Sequence, residues 1–295
     1  MELSIFIQLI VLGLVRGSMY ALMGVGLSLI FGIMQIVNFA HGELFMIGCY
    51  IMYFVAAMLG LPFPLGILAA GIGVFIVGII LEKGLISILR KKAGREWLMD
   101  SFVLTIGLMV IFQNLALIIF GSIQRGIPNL VAGQYVLAEV VFIYDHLVIL
   151  GLALLTVGVL WYFIKNTSLG MAIRATSQHS EAAQTLGIDV SRMYAVAFGI
   201  GAALAGISGA LLITLFPANP NAGMAPVLKS FVVVILGGLG NIKGAIAAGI
   251  LVGLLEAYAV FFLAGGWQNV IVFSIVIAVL VFKPSGLFAP AGERP

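Results

Sequence analysis

Asn38, His41 and Glu43 fall within the run Asn38-Phe39-Ala40-His41-Gly42-Glu43, flanked on both sides by long apolar stretches. An amide, an imidazole and a carboxylate at this spacing can line a polar path, gate it or pass a proton. Ionisable groups inside a bilayer cost several kcal/mol unless they face a cavity or a partner. A helix break there also frees N–H and C=O groups that only a protein-lined or watery pocket can satisfy. The same residues read equally as a turn at the membrane surface, with Asn38 capping the helix that follows. Glu256 is the other acid set in an apolar run, Leu251 to Leu263. It is either a contact for a transported molecule or a tie to a polar group on a neighbouring helix. Gln113 and Asn114 pose the same choice.

Nothing else in the chain assembles a reaction centre. His41 has no second ligand at helical spacing, so it makes no metal site. Cys49 is the single cysteine, which excludes an intrachain disulfide and leaves a thiolate cluster without support. Gly237-Gly238-Leu239-Gly240 is glycine-rich, but the phosphate-binding pattern G-x-x-x-x-G-K-[ST] is missing. No catalytic triad emerges either. The chain is expected to be no enzyme and to hold no cofactor or metal of its own.

These residues must be positioned by membrane-spanning helices. Of the 295 residues, 63% are hydrophobic and 8% charged, and the mean hydropathy is +1.25. Soluble domains carry about 25% charged residues. Apolar segments run over 3–15, 18–33, 43–60, 63–81, 101–120, 143–164, 192–215, 226–239, 245–263 and 269–282, several too short to span alone. The expected fold is all-α and polytopic, one membrane domain over 1–295 with about eight to ten transmembrane or half-spanning helices. The net charge of +3 marks cytoplasmic loops rather than nucleic-acid binding. Residues 82–100, with Lys83, Arg90, Lys91, Lys92 and Arg95, are then cytoplasmic, as is 165–191. The segments 121–142, 216–225 and 264–268 count as external, and both termini as cytoplasmic. Arg16 and Lys229 sit oddly near the outer side. No basic n-region precedes the first apolar run, so no cleaved signal peptide is expected.

Two stretches look alike, Phe31 to Glu43 and Leu236 to Gly244. Each has a glycine-containing break, one asparagine (Asn38, Asn241), a charged or titratable residue beside glycine, and then a new helix. Interrupted segments at matching positions point to a transport pathway between two related halves. Asn38, His41, Glu43, Asn241 and Glu256 are therefore the candidate pathway or gate residues. The small-residue run from Gly199 to Ala210 reads as close helix packing.

Within the 165–191 loop, Ser180-Glu181-Ala182-Ala183-Gln184-Thr185-Leu186-Gly187 reads as a short helix that docks a partner. Ser180 is placed as N-cap, and Glu181 complements the helix dipole. Gly187 can end the helix in the left-handed conformation, and Ala182 and Ala183 offer a smooth face.

Glu181-Ala182-Ala183-x-x-x-Gly187 resembles the EAA loop of bacterial ABC importer permeases, although the usual Ile-x-Leu-Pro continuation is missing. Asn38 to Glu43, Leu169-Gly170-Met171-Ala172-Ile173-Arg174-Ala175 and Gly237 to Gly244 resemble the LivH-type permeases for branched-chain amino acids across nearly the whole chain. The resemblance implies a cytoplasmic coupling loop with Arg174, Glu181, Ala182, Ala183 and Gly187 as coupling residues. It further implies two ATPase subunits that bind ATP and Mg, a homologous second permease in a heterodimer, a periplasmic substrate-binding protein, and the bacterial inner membrane with its lipid. Permeases for urea or short-chain amides are similar in the Asn38 to Glu43 stretch. The reading from a different class is a self-contained secondary transporter with His41, Glu43 and Glu256 as its ion path.

Overall fold

The computed structural model describes residues 2–92, 97–137, 140–263, 266–283 and 286–288. In chain order these form α1 (Glu2–Met34), α2 (His41–Met58), α3 (Phe63–Lys92) and α4 (Trp97–Phe120). An antiparallel hairpin of β1 (Gln134–Leu137) and β2 (Val140–Ile143) follows. Then come α5 (Tyr144–Asn166), α6 (Ser168–Gln178), α7 (Ser180–Thr185), α8 (Val190–Leu212), α9 (Met224–Gly237), α10 (Ile242–Leu263) and α11 (Trp267–Phe282). Seven helices, α1 to α5, α8 and α10, are long and apolar enough to cross a membrane, and α9 and α11 are shorter apolar helices. The protein is an all-α polytopic membrane protein.

The segments 3–15 and 18–33 are one helix rather than two. Arg16-Gly17 does not break α1, because its glycines are notches for a neighbour. A Cβ on Gly17 would stand 2.8 Å from the Ile250 Cα, and one on Gly13 2.9 Å from the Leu254 Cα. Small residues of this kind let helices approach backbone to backbone where lipid supplies no hydrophobic drive. The 33 residues of α1 reach about 50 Å. Glu2 and Gln35 therefore lie at opposite faces of the bundle, whereas two separate spans would have put them on one.

α10 runs antiparallel to α1, from Gly240 beside Gly32 to Leu254 beside Gly13. α8 is the most buried span, between α2 and α3; Gly206 receives Gly48 on one side and Val74 on another. Gly201 and Gly26 likewise meet backbone to backbone. The run from Gly199 to Ala210 is thus a packing seam. α4 and α5 lie at the rim.

Two connections do not stay at the surface. Gln35, with φ 56, turns the chain after α1, and residues 35–40 climb back along α4. The Val37 carbonyl accepts from Thr105 Oγ1 at 3.3 Å, and Glu43 Oε1 accepts from Gln113 Nε2 at 2.9 Å. Those partners are eight helical residues apart on α4, an advance of about 12 Å. His41 Nε2 donates to the Met23 carbonyl at 3.2 Å, about 16 Å from the inner end of α1 at helical rise. α2 thus starts deep in the membrane. From the opposite side, the chain after α8 forms a backbone bridge between Ala218 and Arg125 and then descends to Gly223, where α9 starts. The sequence reading treated 216–225 as a plain external loop.

The second break expected from the sequence is of another kind. After α9, Gly238 and Gly240 take φ values of 89° and 79°, and the chain turns tightly at the inner end. Asn241 Oδ1 accepts from the Gly244 amide at 3.1 Å and caps α10. The two similar stretches are neighbours, with Gly240 against Gly32, but only the first re-enters.

Candidate functional site

The N-termini of α2 and α9 converge inside the bundle. Gly42 and Gly223 touch through their backbones: a Cβ on Gly223 would overlap the Gly42 carbonyl, and one on Gly42 would lie 2.5 Å from the Gly223 oxygen. Each terminus presents the positive end of a helix dipole. Two such ends meeting at mid-membrane favour a negatively charged group.

Around this contact Asn38, His41 and Glu43 are fully buried. Asn38 Oδ1 and Nδ2, His41 Nδ1 and Glu43 Oε2 have no partner among the described residues. The Asn38 side chain does not cap α2; only its carbonyl receives the His41 amide, at 3.3 Å. Buried polar atoms are nearly always satisfied, so four orphans within one short segment set it apart from the rest of the bundle.

Two polar cavities lie at different levels of the bundle. The outer one, about 310 Å³, is lined by Gln113, Asn114, Ser122, Gln124, Asn219 and Asn221. Gln113 belongs both to this vestibule and to the Glu43 hydrogen bond. The inner one, about 450 Å³, lies among Gln35, Arg90, Trp97, Gln178, Ser180 and Glu181. Along α4, Trp97 marks the level of one cavity and Gln113 that of the other, and the Gly42–Gly223 contact lies between these levels.

Glu256 belongs to a separate cluster. Its carboxylate stands 2.7 Å from Lys229 Nζ and 3.5 Å from Arg16 Nη1, and Oε2 accepts from the Tyr20 hydroxyl at 2.6 Å. Lys229 Nζ also donates to Tyr20 Oη at 3.1 Å. The two cations that sat oddly in the topology are thus the partners of the isolated acid. The arrangement joins α1, α9 and α10. Asn241 lies at the inner end of α10, and its Nδ2 donates to the Phe288 carbonyl at 2.8 Å.

On the exposed loop, α7 is capped by His179 rather than Ser180. The Ala182 amide donates to His179 Nδ1 at 3.2 Å, which leaves Ser180 as the first helical residue. Gly187, with φ 83, ends the helix as expected, and the Ile188 amide closes back onto the Ala183 carbonyl at 3.1 Å. Glu181, Ala182, Gln184 and Gly187 are exposed, whereas Ala183 is buried against the bundle. Leu186 is 81% exposed, an apolar tip that the sequence reading missed. Arg174 lies on α6, away from this tip, and its guanidinium donates to the Lys165 carbonyl at 3.4 Å. Among the described residues no group of three or more His, Cys, Asp or Glu could hold a metal ion.

A helical bundle with two re-entrant segments meeting between an outer and an inner vestibule is a membrane permease. The chain belongs to the family described as the branched-chain amino acid transport system permease component, whose model matches residues 9–280. It is 34% identical to the high-affinity branched-chain amino acid transport system permease protein BraD of Pseudomonas aeruginosa, covering 97% of this chain and 96% of that one. The corresponding LivH protein of Escherichia coli is 30% identical, over 96% and 95%. A ribose import permease of Haemophilus influenzae shares 26% identity over 44% of this chain and 42% of its own. No solved structure matches the chain.

Proposed function

We propose that this chain is the translocating subunit of an ATP-driven importer and passes branched-chain or other hydrophobic amino acids delivered by a periplasmic binding protein. The observation that carries the reading is the Gly42–Gly223 contact beside orphaned Asn38, His41 and Glu43, at a level between two polar cavities. A zwitterion fits this chemistry. Its carboxylate suits two helix N-termini, its ammonium suits Glu43, and its apolar side chain suits the surrounding helices.

The loops at 82–100 and 165–191 carry the basic residues and face the cytoplasm. α1 then begins on the outer face of the inner membrane, the reverse of the orientation first expected for the N-terminus, and 286–288 lie on the cytoplasmic side. Glu181, Ala182, Gly187 and the Leu186 tip dock one of two ATPase subunits, where ATP and Mg act. Ala183 holds α7 to the bundle. A homologous second permease completes the path along α4, whose exposed face carries Asn114. Asn241 and Glu256 serve as fixed ends of the moving helices.

Alanine at His41 or Glu43 should cut amino-acid uptake by reconstituted complex at least about tenfold, while the ATPases still co-purify. An oriented charge contact contributes about 1.5–3 kcal/mol, enough for this loss. Unchanged uptake would remove both residues from the path. Gly187→Val should weaken ATPase co-purification without affecting insertion. A β-branched residue at φ 83 costs roughly 1–2 kcal/mol, and nothing lies within 4 Å of its Cβ position to confuse the effect with a clash. Normal co-purification would contradict the docking role.

A further inference from the structure

A second cavity, of about 460 Å³, opens at the inner end of the bundle between α1, α5, α6 and α10. Lys165, Arg174 and Lys243 line it together with Trp161, Ser177 and Ser28. No carboxylate is among its lining residues, and none of the three cations forms an ion pair among the described residues. Lys243 Nζ lies 5.1 Å from the centre of the Trp161 ring. At the cavity's inner wall Ser28 is fully buried, yet its hydroxyl has no partner among the described residues. An unpaired buried hydroxyl beside three unneutralised cations marks a place where a hydrogen-bonding anion is missing.

The level of the cavity identifies the source of that anion. Its walls are the last turn of α5, the final two turns of α1 and the first turn of α10, so it lies where the spans leave the hydrocarbon. Trp161 and Tyr162 are exposed there, 39% and 65%, as aromatic side chains are at the headgroup boundary. The volume equals roughly fifteen waters at about 30 Å³ each, room for a phosphate and a small alcohol.

We propose that this cavity binds the phosphate of an anionic phospholipid of the inner leaflet. Arg174 and Lys243 hold the phosphate oxygens, Lys165 adds charge, and the Ser28 hydroxyl donates from the inner wall. Basic pockets between transmembrane helices on the cytoplasmic side recognise lipid headgroups in this way. Because α6 leads directly into α7, such a lipid would brace the helix that carries the docking knob.

The test uses the full permease–ATPase complex in nanodiscs of phosphatidylcholine containing phosphatidylglycerol, with lipid retained after detergent extraction counted by native mass spectrometry. Wild-type complex should keep phosphatidylglycerol over phosphatidylcholine. Arg174→Gln with Lys243→Gln should lower that retention at least about tenfold, since each basic residue near an anionic surface contributes on the order of fivefold. Ser28→Ala keeps every charge and should weaken retention severalfold. Displacement by millimolar inorganic phosphate, in wild type only, would support the site with a soluble phosphate as its source. Equal retention in wild type and both variants would overturn the proposal. So would loss of the ATPase from the charge variants with lipid retention unchanged, which would assign these cations to subunit docking.

Discussion

Lys229→Met should destabilise the protein by about 3 kcal/mol, at the lower end of the 3–5 kcal/mol that follows removal of one member of a buried ion pair. The side chains of Glu256 and Lys229 are only 4% and 10% exposed, so the carboxylate left behind has little water to turn to. Arg16 and the Tyr20 hydroxyl remain as partners, and Arg16 is 28% exposed, which keeps the loss from being larger. The effect is read as the melting temperature of the purified chain in detergent. Adding Glu256→Gln to Lys229→Met removes the uncompensated charge and should restore most of the stability, because an apolar or neutral replacement of a whole buried pair is often nearly neutral. A Lys229→Met protein as stable as the parent would show that the cluster does not hold α1, α9 and α10 together.

Gly42→Val should abolish ATP-driven uptake and raise passive leak of preloaded solute from proteoliposomes. The Gly42–Gly223 contact is made by backbone alone, and a side chain at Gly42 would press on the Gly223 oxygen and the Val227 Cβ, the latter 2.9 Å from the added atom. Overpacking of this kind costs typically 1–3 kcal/mol. Here the cheapest relief is separation of the α2 and α9 ends, which opens the path. Gly158→Val is the matched control, since nothing lies within 4 Å of its Cβ position on α5. Tight vesicles with normal uptake from Gly42→Val would mean that the constriction lies elsewhere.

The parts of this architecture legible in the sequence are those that depend on local chemistry. Hydropathy located the spans from 43–60 onwards, the Gly187 stop fixed the end of α7, and the small residues of α8 announced its packing. Glu256 was recognisable as a group in need of a partner, but its partners were not, because Arg16 and Lys229 are more than 200 and 27 residues away in the chain. Arg16-Gly17 looked like a break since charge and glycine usually interrupt a span, and only the facing surface of α10 turns that glycine into a contact. The descent of 213–223 was written in Pro217, Asn219, Pro220, Asn221 and Gly223, residues that mark a loop without giving its depth. His179 displaced Ser180 as cap because an imidazole nitrogen can accept the same amide. These corrections share a cause: depth and pairing are set by neighbouring helices, whereas periodicity and capping are set by the segment itself.

In the proposed mechanism, movement through the Asn38–Glu43 region is driven by a separate ATPase acting on α7. The direct measurement is accumulation of radiolabelled leucine in proteoliposomes containing this chain, the second permease, both ATPases and the binding protein. Accumulation should require ATP and the binding protein, survive a protonophore, and disappear with Gly187→Val. Uptake that continues without ATP and follows the proton gradient would contradict the account and make His41, Glu43 and Glu256 an ion path of a self-contained transporter.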